Sequence, residues 1–424
     1  NGPDRGFVYV ENNTYWLLDY DGAIIETLSN PRASRDASFA RWGSTLYAAT
    51  QRAGGVGAKT APMIRVQLRT DQGSPRIVNT GIDVGTNLAR VGPFLMTGGI
   101  SSDSSLISAF SFRWSGFNAP EDWAVSELTL AGFASIETAH LGRITAIVGA
   151  RTPMIFQERG ITRINYVGPP KIWSQRLISE KYGVNTPAAI IDDGEFYYFM
   201  NSFGAYATNG STVTEISIGS VSKWIREKTK GYAVRIHGTY FPEFRAVVWG
   251  FETPDDTVTS DPWPYTLIYS TETRQFTYGD FAYYGAAFGE IRTQRTSGAE
   301  DENVQFSMVP QSGVSTDSKL SALSGDTLEA TLTTGHLASA GKRTFVDGVE
   351  PIYEGSGATV ALSGKERTRD AASFSAYQAE ESASGVVEIT SDARSTATSV
   401  KFAAGETWSD FSGVVANVGT AGER

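Results

Sequence analysis

Pairs of acidic residues are the side chains that could do chemistry most directly, because two carboxyl groups about 5–10 Å apart can cleave a glycosidic bond. The candidates are Asp192/Asp193, Asp255/Asp256, Glu300 to Glu302 and Glu380/Glu381. Adjacent residues on a strand point to opposite faces, the first pair has a hairpin-turn pattern with Gly194, and the others lie in polar stretches. The pattern favours turns and predicts that the chain is not an enzyme.

Metal and cofactor chemistry has few possible ligands in this sequence. Cysteine is absent, and the three histidines are His140, His237 and His336, which lie far apart along the chain. No phosphate-binding loop, nucleophile elbow or zinc-binding helix motif occurs. We therefore expect no metal and no cofactor.

Composition limits the partners. The 424 residues include 46 acidic and 36 basic residues, a net charge of −10, which argues against a protein that neutralises many phosphates of a nucleic acid. No apolar run approaches the roughly 20 residues that span a bilayer, so the sequence predicts no membrane insertion.

Aromatic residues are abundant, with nine Trp, 18 Tyr and 22 Phe, and aromatic faces can stack on sugar rings. Most occupy alternating strand positions, where we expect core packing; examples are Tyr197, Phe199, Trp249 and Tyr269. The aromatic residues least explained by strand packing are Phe241, Phe244 and Trp263.

Two loops contain these unexplained residues, and the sequence predicts that they form a channel constriction or contact a neighbouring subunit. The predicted site residues are Phe241, Glu243 and Phe244 in the first loop, and Asp255, Asp256, Asp261 and Trp263 in the second. The alternative interpretation is that both are ordinary surface loops.

Hairpins organise most of the chain, most clearly between Gly142 and Ile218. Asp193-Gly194, Phe203-Gly204 and Asn209-Gly210 supply residues that accept positive φ, so this stretch predicts antiparallel meanders of four strands. Similar units recur every 40–50 residues or so. The prediction is an all-β chain: a β-propeller of about six, or seven, antiparallel blades over residues 1–326.

Two further elements are predicted. SVSKWIREKTKGY favours a short helix with Trp224 and Ile225 on its buried edge. From residue 327 to 424 aromatic residues become fewer and short Ser/Thr-rich strands follow one another, which is typical of an antiparallel β-sandwich-like domain.

Several segments resemble the tail nozzle proteins of short-tailed bacteriophages, also described as packaged-DNA stabilisation proteins. The similar segments are Met154 to Arg163, Tyr166 to Pro170, Tyr182 to Val184, Asp193-Gly194, Gly341 to Arg343, Val349 to Pro351, Gly364 to Arg369, and Trp408. These segments cover structural positions rather than catalytic ones.

The resemblance implies a virion structural protein, assembled in the bacterial host cytoplasm, that forms a homo-oligomeric ring, usually a hexamer, at the distal end of a short tail. Its implied partners are the phage adaptor and portal and the tail fibre or spike proteins. Packaged DNA would pass through the ring without sequence-specific binding, and an acidic lining would not grip it.

Two other functions remain open on the sequence alone. One is a receptor- or carbohydrate-binding tail protein, with or without glycan cleavage. The other is an extracellular lectin propeller that is not viral.

Overall fold

The computed structural model divides the chain into two compact units, Asn1–Leu323 and Ser324–Arg424. The described residues are 7–11, 14–18, 24–29, 37–50, 61–67, 76–85, 87–99, 109–149, 151–232, 236–242, 244–251, 265–279, 283–292, 303–310, 329–338, 343–367, 369–379 and 384–420.

The N-terminal unit consists mainly of short strands joined by tight turns. Its strands are β1 (Phe7–Glu11), β2 (Thr14–Leu18), β3 (Ile24–Ser29), β4 (Ala37–Trp42), β5 (Thr45–Thr50), β6 (Ala61–Gln67), β7 (Ile77–Val84), β8 (Asn87–Val91), β9 (Phe94–Gly98), β10 (Ser111–Trp114), β11 (Gly132–Ser135), β12 (Ile144–Val148), β13 (Met154–Gln157), β14 (Ile161–Tyr166), β15 (Trp173–Ser179), β16 (Ile190–Asp192), β17 (Tyr197–Asn201), β18 (Gly204–Thr208), β19 (Val213–Glu215), β20 (Ile236–Phe241), β21 (Ala246–Phe251), β22 (Tyr265–Ser270), β23 (Phe276–Gly279), β24 (Tyr283–Arg292) and β25 (Asn303–Pro310). Short 3-10 turns cover Ala139–Leu141 and Pro187–Ala189.

Consecutive strands pair into sheets with the same antiparallel order. Among the described residues, five four-stranded sheets are formed, which we number blades 1 to 5: β4–β7, β8–β11, β12–β15, β16–β19 and β20–β23. Smaller sheets are formed by β1–β3 and by β24–β25. The first strands β4, β8 and β12 lie side by side, and so do β16, β20 and β24. Such repeated meanders are propeller blades, so the predicted all-β propeller class is confirmed.

Side chains packed between blades form the core of this unit. Tyr197, Phe199, Trp249 and Tyr269, predicted as core residues, are all buried. Phe156 of blade 3 meets Phe199 of blade 4 edge to face, with ring centroids 5.4 Å apart, an arrangement that aromatic pairs favour.

Asn87 fastens blade 2 to blade 3. Its side-chain Nδ2 donates to the Ile147 carbonyl oxygen at 2.8 Å, and its Oδ1 accepts from the Ile147 N–H at 3.0 Å. Because Asn87 is buried, this amide supplies Ile147 of β12 with both hydrogen bonds that a neighbouring strand would otherwise give. A buried backbone group left without such a partner would destabilise the fold.

A single α-helix is present among the described residues, α1 (Ser220–Thr229). Its apolar edge buries Ile225 completely and Trp224 partly, which confirms the prediction. Trp224 stacks on Tyr278 with ring centroids 4.8 Å apart. No helix in the described ranges is long and apolar enough to cross a membrane.

Turns account for two of the predicted glycine positions but not for the third. Gly194 and Gly210 have φ of 92° and 80°, as expected for hairpin turns. The third hairpin turns at Ser202-Phe203, and Gly204 already belongs to β18. A Cβ at Gly204 would lie 2.8 Å from Ser217 Oγ, so close packing, and not positive φ, requires the glycine there.

The C-terminal unit is a second, separate β structure. Its strands are β26 (Ala330–Thr333), β27 (Leu337–Ala338), β28 (Thr344–Gly355), β29 (Ala358–Lys365), β30 (Gln378–Ala379), β31 (Ser391–Ala393), β32 (Ser395–Phe402) and β33 (Trp408–Thr420). One sheet has the order β26-β32-β29-β30, with β27 also paired to β32, and the other has the order β31-β28-β33. Val349, Val360 and Phe402 belong to one core that takes residues from both sheets, as the predicted sandwich requires.

Asn87→Ala should destabilise the N-terminal unit, because it leaves the buried N–H and carbonyl of Ile147 without partners at a cost of about 1–3 kcal/mol each. Denaturant unfolding measures the loss. The control Asn79→Ala removes an exposed side chain that accepts a hydrogen bond from the Gly81 N–H, and we expect a change of about 0.5 kcal/mol or less. Equal losses in both variants would contradict the proposed role of Asn87.

Candidate functional site

Four aromatic side chains from blades 2 and 3 meet beside the turns that end two hairpins. They are Phe94 and Phe117 from blade 2, and Tyr166 and Trp173 from blade 3; we call them the aromatic platform. The platform joins two buried rings to two rings that are about half exposed, and Phe94 contacts the other three.

Blade 2 positions its two rings with backbone hydrogen bonds. Phe94 begins β9 directly after the tight turn at Gly92, where φ is 56°. Phe117 lies in the long connection from β10 to β11, and its N–H donates to the Thr129 carbonyl oxygen at 2.8 Å. The next residue, Asn118, donates its N–H to the Pro93 carbonyl oxygen at 2.9 Å, which ties this loop to the turn that precedes Phe94.

Blade 3 positions its two rings at the end of a single hairpin. Tyr166 and Trp173 are directly opposed residues of β14 and β15. The Val167 N–H closes the turn onto the Ile172 carbonyl oxygen at 3.0 Å. Gly168, with φ of 78°, and a cis Pro169-Pro170 bond complete the turn.

The rings form two layers. Phe94 and Trp173 are buried, at 0% and 4% exposure, whereas Phe117 and Tyr166 are 48% and 46% exposed. The Phe94 ring centroid lies 5.7 Å from Phe117, 5.6 Å from Tyr166 and 5.5 Å from Trp173, and Tyr166 lies 5.6 Å from Trp173. The buried pair therefore supports the exposed pair from below.

This arrangement offers fixed apolar surface to solvent. Rings that already pack against other rings lose little conformational freedom when a ligand covers them. Exposed aromatic groups of this kind commonly mark interaction sites. Within the described part of the chain, the buried indole N–H of Trp173 has no hydrogen-bond partner, whereas the equivalent group of Trp114 in the same core donates to the Leu130 carbonyl oxygen at 2.6 Å.

The Asp192-Asp193 pair lies, as predicted, at the turn between β16 and β17. Asp192 Oδ1 accepts from the Gly194 N–H at 2.8 Å, and Asp193 Oδ1 accepts from the Phe196 N–H at 2.6 Å. Burial of its carboxyl group raises the pKa of Asp192, although the residue as a whole is exposed; the Gly194 hydrogen bond opposes this shift. Burial, together with the nearby Asp193 carboxylate, raises the pKa of Tyr198.

The loop residues predicted from sequence are only partly described. Phe241 ends β20 and is buried at 1% exposure, so its ring belongs to the interior of the unit. Phe244 is 61% exposed in the following turn. Glu243, Asp255, Asp256, Asp261 and Trp263 lie outside the described residues. Contact of these loops with a channel or a neighbour stays a prediction.

The three histidines occupy separate elements. His140 lies in a 3-10 turn, His237 in β20, and His336 beside β27 in the C-terminal unit. Within the described ranges, no group of three or more His, Asp or Glu side chains is arranged to hold a metal ion.

Comparison with known proteins gives no family. No family model matches the chain, and no curated protein matches it. Solved structures with a similar fold are apo AztD from Citrobacter koseri (7% identity, 64% of this chain and 70% of that chain, TM-score 0.31), an exo-β-1,3-galactanase from Phanerochaete chrysosporium with galactose (9% identity, 97% and 100%, TM-score 0.28) and a glycoside hydrolase family 43 arabinoxylan arabinofuranohydrolase from Bacillus subtilis with cellotetraose (9% identity, 98% and 94%, TM-score 0.26).

Two predictions from sequence need correction on this comparison. The similar structures named here include sugar-cleaving enzymes and no phage tail nozzle, so the comparison contradicts the predicted nozzle function and the prediction that the chain is not an enzyme. At these identities and TM-scores the likeness concerns the fold alone. It transfers no substrate or active-site residue to this chain.

Sequence reasoning missed Phe117 and Tyr166, because aromatic residues in a β-rich chain are usually core. A signal was available in their positions. Phe117 lies outside any strand, and Tyr166 is the last residue of β14, next to a Gly-Pro-Pro turn. Rings at strand ends are less enclosed by neighbouring sheets than rings within strands.

Asp192→Asn should reduce the change of the protein's stability with pH. A carboxyl group whose pKa is raised on folding contributes stability that is fully present below its unfolded pKa and is lost as pH rises through its folded pKa. Asparagine keeps the Oδ1 acceptor for Gly194 without the charge. We therefore expect the variant to gain melting temperature over wild type as pH rises from about 4 towards neutrality.

Melting curves across this pH range provide the measurement, with Glu195→Gln as the matched control. Glu195 is an exposed acid in the same turn. The melting temperature of Glu195→Gln should change with pH as that of wild type does. A constant offset between Asp192→Asn and wild type at all pH values would contradict the assignment.

Proposed function

We propose that the chain is a carbohydrate-binding β-propeller protein and that the aromatic platform binds the sugar. One observation carries this proposal: Phe117 and Tyr166 are about half exposed, and both rest on the buried ring of Phe94. Pyranose rings present C–H groups on their faces, and these pack against the faces of aromatic rings.

The size and surroundings of the platform suit a short oligosaccharide. Both exposed rings contact Phe94, so their centroids can lie no more than about 11 Å apart. In the turn between Tyr166 and Trp173, Lys171 forms an exposed ion pair with Glu137 at 3.3 Å. Exposed pairs of this kind are worth little, so both groups can exchange partners with sugar hydroxyls.

Phe117→Ala and Tyr166→Ala should each weaken glycan binding about fivefold or more, because loss of an aromatic anchor commonly costs more than about 1 kcal/mol. A glycan array identifies the best oligosaccharide, and calorimetry measures its affinity for each variant. Phe203→Ala is the matched control, since this ring is 57% exposed in a turn of blade 4. Equal affinities in all four proteins would contradict the proposal.

Cleavage of the bound glycan is a second candidate, favoured by the Asp192-Asp193 turn. Glycosidases pair a carboxylic acid of raised pKa with a second carboxylate, and Asp192 has a raised pKa beside Asp193. If this candidate is correct, Asp192→Asn retains glycan binding and loses the release of reducing ends. Reducing ends formed equally by wild type and variant would exclude this role for Asp192.

Location in a virion tail and homo-oligomeric assembly remain proposals. They are supported by the resemblance of Met154 to Arg163 and Tyr166 to Pro170 to phage tail proteins. Sedimentation of the purified chain tests the assembly: a mass several times 45.7 kDa is expected, and a monomer at all concentrations would contradict it.

A further inference from the structure

Two arginines face each other on the hairpin that carries Tyr166 and Trp173. Arg163 of β14 is directly opposite Arg176 of β15. Directly opposed residues of an antiparallel pair have Cβ atoms about 4.5–5.5 Å apart and lie on the same face of the sheet. Like charges in this position destabilise the pair, so the arrangement has a cost that its environment must offset.

The described residues supply no carboxylate to these guanidinium groups. Arg163 is half-buried, and its Nε donates to Asn165 Oδ1 at 3.0 Å; Arg176 is exposed. Neither forms an ion pair with the described part of the chain.

Other arginines of this chain do have acidic partners. Arg143 lies 2.8 Å from Glu158, and Arg343 lies 2.9 Å from Asp392. The Arg163–Arg176 pair therefore concentrates positive charge within a protein of net charge −10.

We propose that Arg163 and Arg176 together bind an oxyanion, either the carboxylate of an acidic sugar or a sulfate or phosphate group. A guanidinium presents paired N–H donors that match the oxygens of such anions. The Arg163–Asn165 hydrogen bond fixes one guanidinium in advance and leaves its terminal N–H groups for the ligand. An anion between the two arginines also replaces the like-charge repulsion with two attractions.

This anion site is separate from the aromatic platform. Arg163 and Tyr166 are three residues apart on one strand, so their side chains leave opposite faces of the sheet. Tyr166 contacts Phe94 of blade 2. Met154, which is paired with Arg163 and shares its face, packs in the core that also contains Phe199 of blade 4. The inference therefore does not depend on the proposed sugar-binding function.

Arg163→Gln and Arg176→Gln test the site in the full-length chain. Without a binding anion, each variant should melt at or above the temperature of wild type, because one of two repelling charges is gone. Sulfate should raise the melting temperature of wild type above that in chloride of equal ionic strength, and each variant should lose most of this rise. The control Arg394→Gln removes an exposed arginine of the C-terminal unit and should retain the rise.

Galacturonate oligosaccharides and inorganic phosphate distinguish the two sources of the oxyanion. If galacturonate oligosaccharides raise the melting temperature of wild type but not of the Arg163 and Arg176 variants, and a neutral oligosaccharide of equal length does not, the site binds an acidic glycan. A rise with sulfate or phosphate alone assigns it to a free anion. No anion-specific rise in wild type, or an equal rise in the Arg163, Arg176 and Arg394 variants, would overturn the site. Phe117→Ala removes a ring of the aromatic platform and should leave the sulfate-dependent rise in melting temperature unchanged. This result is expected whether or not the platform binds sugar, so the anion site and the sugar site are tested separately.

Discussion

The attachment of one propeller blade to the next is the constraint on which the candidate site depends. In the residues that the structure describes, adjacent blades share no β-ladder, so side chains must fix their relative position. Asn87 does this between blades 2 and 3 by giving Ile147 both a donor and an acceptor. Because Phe94 and Phe117 come from blade 2 and Tyr166 and Trp173 from blade 3, the geometry of the aromatic platform follows from this attachment.

The aromatic platform consists of two buried rings and two exposed rings with different roles. Phe94 and Trp173 contribute to the packing between blades, and Phe117 and Tyr166 cover them while keeping about half of their own surface in solvent. A ligand that stacks on the outer rings meets a surface already ordered by the inner ones, which reduces the entropy lost on binding. The opposite face of the β14–β15 hairpin presents the Arg163–Arg176 pair. One hairpin thus contributes to both proposed binding sites, the aromatic platform and the arginine pair.

Local patterns predicted much of the fold because hairpins and short helices depend on nearby residues. The Asp193-Gly194 turn, helix α1 and the repeated meanders were all evident from turn residues and hydrophobic periodicity. Gly204 was misassigned because its requirement comes from Ser217, a contact made only after folding. Phe241 was chosen as a loop residue, but its ring is buried. The platform could not be predicted because the exposure of Phe117 and Tyr166 depends on the neighbouring blade, and the facing arginines depend on a register set by the Gly168-Pro169-Pro170 turn.

A crystal structure of the protein with its best-binding oligosaccharide tests the central claim most directly. The account predicts a sugar ring lying against the face of Phe117 or Tyr166, with Phe94 and Trp173 unmoved beneath them. A sugar bound at another surface, with both exposed rings uncovered, would contradict it.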